Sequence, residues 1–104
     1  MFVLTSLVDL HTHSNCSDGS MTPTELVVHA SERGLAAIAL SDHDTIAGID
    51  EALEAGMKYG IEVVPAIEFS VQSQTETHIL GFYIDHKSPL IMQALEEINS
   101  VRMQ

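Results

Sequence analysis

Short, almost unbroken apolar runs alternate along this chain with stretches whose apolar residues recur at helical spacing. Phe2 to Leu10, Ala36 to Leu40 and Ile61 to Ile67 are the runs, and each reads as a buried strand. Between the first two, Thr22-Pro23-Thr24-Glu25 opens a helix, with Thr22 as N-cap, Pro23 at the first helical position and Glu25 completing a capping box. Leu26, Val27 and Ala30 then face the core, and Gly34 ends the helix. A second helix spans Ile49 to Tyr59. It carries Ile49, Ala52, Leu53, Gly56 and Met57 on one face and Asp50, Glu51, Glu54 and Lys58 opposite, and Gly60 closes it.

Strands joined by helical crossovers make parallel βαβ units, so the fold class is α/β, with helices packed outside a buried sheet. A fourth strand, Thr77 to Asp85, breaks the rhythm. Only Val71 to Glu76 separates it from the third, too short for a parallel crossover, so the two strands form an antiparallel hairpin that sets His78 beside Glu68. Ser88-Pro89 caps a last helix with Leu90, Ile91, Ala94, Leu95, Ile98 and Val101 inward. That helix reaches Gln104 in mid-pattern, without a closing Gly or Pro, and so reads as a chain cut short of a finished fold.

The polar residues that interrupt the apolar runs carry the chemistry. They fall in Asp9-Leu10-His11-Thr12-His13, Ser17-Asp18-Gly19, Ser41-Asp42-His43-Asp44, Ala66-Ile67-Glu68-Phe69 and Thr77-His78-Ile79. An unpaired charge beside a core costs roughly 3–5 kcal/mol, so charged residues at strand ends need a reason to be there. Imidazole nitrogen and carboxylate oxygen are the ligand set of a borderline divalent metal. His11 and His13, two apart at a strand end, project the same way. An isolated pair of that kind reads as hydrogen-bonded loop histidines; the further candidates tip it toward a metal. Asp18 is either a ligand or a turn former before Gly19. Asp42 and Asp44 flank His43, where one of them orients the ring or Asp44 caps the next helix. Glu68 follows a wholly apolar strand, and its two oxygens suit a bridge between two ions. His29 lies on a polar helix face and His86 in a polar loop, so both read as surface histidines.

Composition narrows the classes. The 104 residues make one domain at most, and 45% hydrophobic content is that of a folded protein. A formal charge of −11 argues against a duplex DNA groove or an anionic membrane as the main contact, although bound cations would offset part of it. Cys16 is the single cysteine, which excludes an intrachain disulfide and suits a reducing cytoplasm. It sits in the loop of the candidate site, more as a small loop filler than as a ligand. Met1 to Val8 is apolar but has no basic leader and is interrupted by Asp9 and His11, so it reads as a strand and not as a signal peptide or membrane span.

The motifs Asp9-Leu10-His11-Thr12-His13-Ser14, Ser17-Asp18-Gly19, Thr22-Pro23-Thr24-Glu25, Leu40-Ser41-Asp42-His43-Asp44-Thr45, Glu68-Phe69-Ser70 and His78-Ile79-Leu80-Gly81 together cover nearly the whole chain. In them the sequence resembles the N-terminal part of the polymerase and histidinol phosphatase (PHP) family of metal-dependent phosphoesterases. It is most similar to the branch of small bacterial nucleoside-bisphosphate phosphatases and short-RNA exonucleases. The resemblance implies part of a distorted TIM-like (β/α) barrel, a fold that typically needs about 250 residues. It implies His11, His13, Asp18, His43, Glu68 and His78 as ligands of manganese, iron or zinc, up to three ions in a complete site, with Glu68 bridging. Asp9, Asp42 and Asp44 would stand behind those ligands, and a metal-bound water held by His11, His13 and Glu68 would be the catalytic group.

The expected substrate is a small phosphorylated molecule, a nucleotide or short oligonucleotide, hydrolysed in the cytoplasm. The family's remaining ligands and phosphate-gripping basic residues belong to a C-terminal half that this sequence lacks. Its four basic residues, Arg33, Lys58, Lys87 and Arg102, fall outside the ligand motifs. The expectation is therefore little activity for this chain alone, with self-association through an open half-barrel. The alternative is a non-catalytic metal-binding fragment that needs a partner or second copy.

Overall fold

The structure is a computed structural model that describes residues 7–72 and 76–102. Among these, β1 (Val8–Thr12), β2 (Ala37–Leu40), β3 (Glu62–Gln72) and β4 (Glu76–Phe82) form one sheet in the order β1-β2-β3-β4. The first three run parallel, with α1 (Pro23–Glu32) and α2 (Ile49–Tyr59) as crossovers, and β4 pairs antiparallel to β3. The last helix, α3, spans Pro89–Arg102.

Local chemistry fixes the crossovers. Thr22 Oγ1 accepts from Glu25 N at 3.1 Å while Glu25 Oε1 accepts from Thr22 N at 3.0 Å, the reciprocal box that starts α1. Thr24 N and Oγ1 donate to Glu51 Oε2 at 2.9 and 2.8 Å, tying the start of α1 to α2. Gly60 ends α2 at φ 74°, a left-handed conformation that costs a residue without a Cβ little. Both helices bury one face, Val27 and Ala30 with Ile49, Ala52 and Ala55, against Ile38, Leu40 and Val63 of the sheet. Each large aliphatic side chain buried there contributes about 1.5–3 kcal/mol. The opposite face holds a small cluster of Ala39, Val64 and Ala66, and strand alternation makes Glu68 the next residue on that face.

Four expectations need correction. The first strand is not buried: Leu7, Val8 and Leu10 are 58%, 51% and 46% exposed, because β1 pairs with β2 alone and no described element covers its other edge. Phe2 to Ser6 of that run lie outside the described residues. In α2, Ala55 is buried and Met57 exposed, since the buried arc centres near Ala52 and each residue turns about 100°. The third strand runs on to Gln72, because pairing with β4 from Ala66 to Gln72 satisfies its backbone through the polar stretch. Leu90 is exposed and Leu95 buried in α3; Ile98 and Val101 lie outside the described side chains.

Candidate metal centre

His11 reaches the site through an irregularity in β1. Asp9 stands opposite Ile38 and Thr12 opposite Leu40, so three residue steps on β1 match two on β2. Without that extra residue, alternation would send His11 to the same face as Asp9, the helix side. The bulge turns it instead toward the face of Glu68. His13 follows at the start of a tight loop in which Ser17 N and Gly19 N both donate to Ser14 O, at 3.1 and 2.8 Å. A Cβ on Gly19 would collide with the carbonyl of His13, so the loop closes only around a glycine. Its closure brings Asp18 back over His13.

His43 is placed by a one-residue parallel bridge to Glu68. Glu68 N donates to Asp42 O at 3.1 Å and Asp44 N to Glu68 O at 3.0 Å, so the backbone on either side of His43 is pinned to β3. Asp44 adopts φ 50°, and its Oδ1 accepts from Ser70 N at 3.1 Å, a further tie to the same strand. In the hairpin Leu80 stands opposite Glu68 and His78 opposite Ser70, which sets His78 diagonally beside Glu68 on one face.

These placements converge. Glu68 Oε1 meets His11 Nε2 in a very short contact and lies 3.4 Å from His13 Nε2. Its Oε2 lies 2.6 Å from His78 Nδ1 and 3.0 Å from His43 Nδ1. Asp18 closes the other side, with Oδ1 at 2.7 Å from His13 Nδ1 and Oδ2 at 3.1 Å from His43 Nε2. The four rings stand edge to face in a row, His11–His13–His43–His78, with centroids 4.9, 4.3 and 5.4 Å apart. Glu68 is 3% exposed. Burial pushes its carboxyl pKa up, but hydrogen bonds from His78 and His11 and the charge of His43 outweigh this and hold it below the usual value. The balance at Asp18 has the same form: desolvation raises it, and the hydrogen bond and charge of His13 with the charge of His43 bring it below the ordinary carboxylate range.

Three sets of donor atoms each lie within 4.8 Å of one another: His11, His13 and Glu68; His13, Asp18 and His43; and His43, Glu68 and His78. His13 Nε2 is buried and has no hydrogen-bond partner among the described residues, an orphan that a cation would satisfy. Nitrogen and oxygen donors of this kind suit a divalent first-row metal, and the residues present fit such an ion.

The residues flanking the clustered side chains act differently from what their positions in sequence suggest. Asp9 Oδ1 accepts from His11 N at 3.1 Å, holding the bulge. Asp42 does not orient the His43 ring, whose nitrogens face Glu68 and Asp18; its carboxylate accepts from Ser14 and Ser17. Asp44 ties to Ser70, and α2 begins at Gly48 with no side-chain cap. Glu68 lies within β3 and not at its end. His29 is exposed, whereas the His86 side chain is only 15% exposed and meets Asp50 Oδ1 at 2.8 Å, away from the ligand cluster. Ser14 and Ser17 have only a weak signal in the sequence, two hydroxyls three residues apart between His13 and Asp18, which turn chemistry explains equally well.

Similarity to known proteins bears on the same residues. The chain is 42% identical over 100 residues to a 5'-3' exoribonuclease of Haemophilus influenzae, covering 95% of this chain and 36% of that protein. It is 40% identical over 98 residues to a 3',5'-nucleoside bisphosphate phosphatase of Chromobacterium violaceum, covering 93% and 34%. The fold matches a solved amidohydrolase from Chromobacterium violaceum, with bound sulfate and no metal, at a TM-score of 0.88 and 39% identity, over 93% of this chain and 34% of that one. The chain thus spans about a third of the length of these relatives, and its four-stranded curled sheet is a partial barrel of the TIM-like kind. The PHP domain model matches residues 9–99, a span that runs from Asp9 through all six clustered side chains, and the chain belongs to the PHP family.

Proposed function

We propose that this chain contributes the metal centre of a phosphoesterase that hydrolyses phosphate esters of nucleotides or short oligonucleotides. The observation that carries this reading is the convergence of four imidazoles on the buried carboxylate of Glu68. His11, His13 and Glu68 would hold one divalent ion, His43, Glu68 and His78 a second, and Asp18 with His43 and His13 offers a further position. Manganese, iron and zinc all accept such donors. When bound, a divalent ion supplies a water of lowered pKa and neutralises charge on phosphoryl oxygens. The protein's part is to hold Glu68 ionised and to fix the donors before binding.

The described cations support a site that relies on metal for phosphate. Lys87 pairs with Asp50, Lys58 lies over the Tyr59 ring, and Arg33 stands at the C-terminal end of α1, its backbone N–H capping the helix. The relatives' activities, exonucleolytic on RNA and phosphatase on nucleoside bisphosphates, support a small phosphorylated substrate. We read residues 1–104 as one PHP domain part working in the cytoplasm; no described helix is long and apolar enough to cross a membrane. The exposed Val8 and Leu10 on edge strand β1, with Leu7 just before it, support self-association through that side.

The second reading, a metal-binding unit without turnover of its own, is favoured by the chain spanning only about a third of its relatives' length. Metal analysis with a phosphatase assay on a nucleoside bisphosphate tests both. The expected result is bound metal with turnover far below that of a full-length relative. Comparable turnover would overturn the second reading, and a chain that takes up no divalent ion would overturn both.

A further inference from the structure

A buried carboxylate next to the ligands makes no contact with any imidazole. Asp42 is 2% exposed, and beside it Ser14 and Ser41 are fully buried. Its Oδ1 accepts from Ser14 N at 2.6 Å and from Ser17 Oγ at 2.8 Å, and its Oδ2 accepts from Ser14 Oγ at 2.6 Å. Its backbone carbonyl accepts from Glu68 N at 3.1 Å. One residue therefore touches the loop that carries His13 and Asp18, the strand that carries Glu68, and, through the chain itself, His43. Only a carboxylate offers acceptor capacity on both atoms with no donor of its own, which these three donors require.

We infer that Asp42 is a positioning residue: its carboxylate sets the distance between the loop ligands His13 and Asp18 and the strand-end ligand His43, so that this donor set is formed before any ion arrives. The consequence for metal rests on the metal-centre reading above, while the consequence for geometry does not. The donor set His13–Asp18–His43 spans the junction that Asp42 bridges. The set His43–Glu68–His78 spans a junction held by the β3–β4 pairing and the His43–Glu68 bridge instead. Loss of the carboxylate must therefore loosen the first set and spare the second. A residue of merely structural importance would weaken both together.

The test is NMR of the full chain, metal-free and then titrated with cobalt(II). In metal-free wild type, ring-proton contacts are expected between His13 and His43 and between His43 and His78, whose centroids lie 4.3 and 5.4 Å apart. Asp42→Ala should lose the first contact and keep the second. On titration, the contact-shifted signals of the Asp18 methylene and of the His78 ring report the two positions separately, since each residue belongs to one donor set only. The affinity at the Asp18 position should fall about 10–100-fold, as for other residues that orient metal ligands, and the His78 position by less than about threefold. Asp42→Asn, which keeps an oxygen for Ser14 N–H, should restore the His13–His43 contact. Equal loss at both positions, or no change at either, would overturn the proposal. Should Asp42→Ala fail to fold, Ser14→Ala and Ser17→Ala, each of which removes one hydroxyl from the Asp42 carboxylate, must show the same selectivity. If wild type takes up no cobalt, the metal-centre reading fails, and the metal-free ring contacts alone decide for or against Asp42.

Discussion

Two buried carboxylates lie a few residues apart in space, and their surroundings differ in kind. Asp42, 2% exposed, is met by one amide and two hydroxyls, donors that are neutral at any ordinary pH. Glu68, 3% exposed, is met by four imidazoles, each of which can be a donor, an acceptor or a cation. Fixed neutral donors complete Asp42 within the protein. Imidazoles around Glu68 leave nitrogen lone pairs to spare once they are deprotonated, and a buried cation is what such an arrangement accepts. On the proposed reading, the first region holds shape and the second holds a divalent cation.

Removing each carboxylate should separate these roles. Glu68→Ala deletes a donor from two of the three sets. Divalent-metal affinity should fall by more than the roughly 10–100-fold lost with an orienting residue. Stability of the metal-free chain should fall more modestly, since the interactions that hold the Glu68 carboxyl below its usual value are lost with it. Isothermal titration and thermal melts on one preparation check both; a large drop in metal-free stability with affinity intact would reverse the roles assigned to the two regions.

Asp42→Ala should cost the metal-free chain more stability than Glu68→Ala does. It leaves Ser14 N–H and hydroxyl buried without their acceptor, at about 1–3 kcal/mol for each unsatisfied group. Urea melts of the metal-free chain should show a loss of this size, with Ser17→Ala, at the half-buried rim, costing clearly less. Equal costs for the two variants would mean that the carboxylate is not completed by Ser14.

Gly19→Ala comes next in size. A Cβ there meets the His13 backbone, so the loop must open and carry Asp18 away from His13 and His43. The expected outcome is weakened metal binding at the Asp18 position with only a modest shift in melting temperature, read by titration and thermal melt; unchanged binding would show that loop closure does not set the Asp18 position.

The smallest effect belongs to a third carboxylate. Asp50 also meets a histidine, His86, but only one, and is exposed. The His86 hydrogen bond first, then the Lys87 hydrogen bond, hold its carboxyl below the ordinary value of 3.8. A depressed carboxylate adds stability that is present above the unfolded value and lost as pH falls through the folded one. The melting difference between wild type and Asp50→Asn should therefore be small at neutral pH and vanish in acid, below the depressed folded value. A difference that grows on acidification would contradict this sign.

Much of this contrast was legible in the sequence, for local reasons. Thr22 to Glu25 and Gly60 declare helix ends through chemistry confined to a few residues, and the short gap before His78 dictated antiparallel pairing. The six clustered side chains stood out because charged groups interrupt apolar runs. The rest depends on neighbours that sequence does not name. Alternation alone would not bring His11 to the face of Glu68; the bulge does. Asp42 looked like a partner of the adjacent His43, yet its acceptors serve Ser14 and Ser17, more than twenty residues earlier. An apolar first strand looked buried, but burial needs something on its other side.

The claim that Glu68 and its histidines form a divalent metal centre is tested most directly by metal content after equilibrium dialysis. Wild type, the His11→Ala/His13→Ala/Glu68→Ala variant and Asp50→Asn would be dialysed together against manganese or zinc, and the retained ion measured by mass spectrometry. Wild type and Asp50→Asn should retain the ion alike, while the triple variant loses nearly all of it with its fold intact by circular dichroism. A folded triple variant that keeps the wild-type metal content would contradict the account.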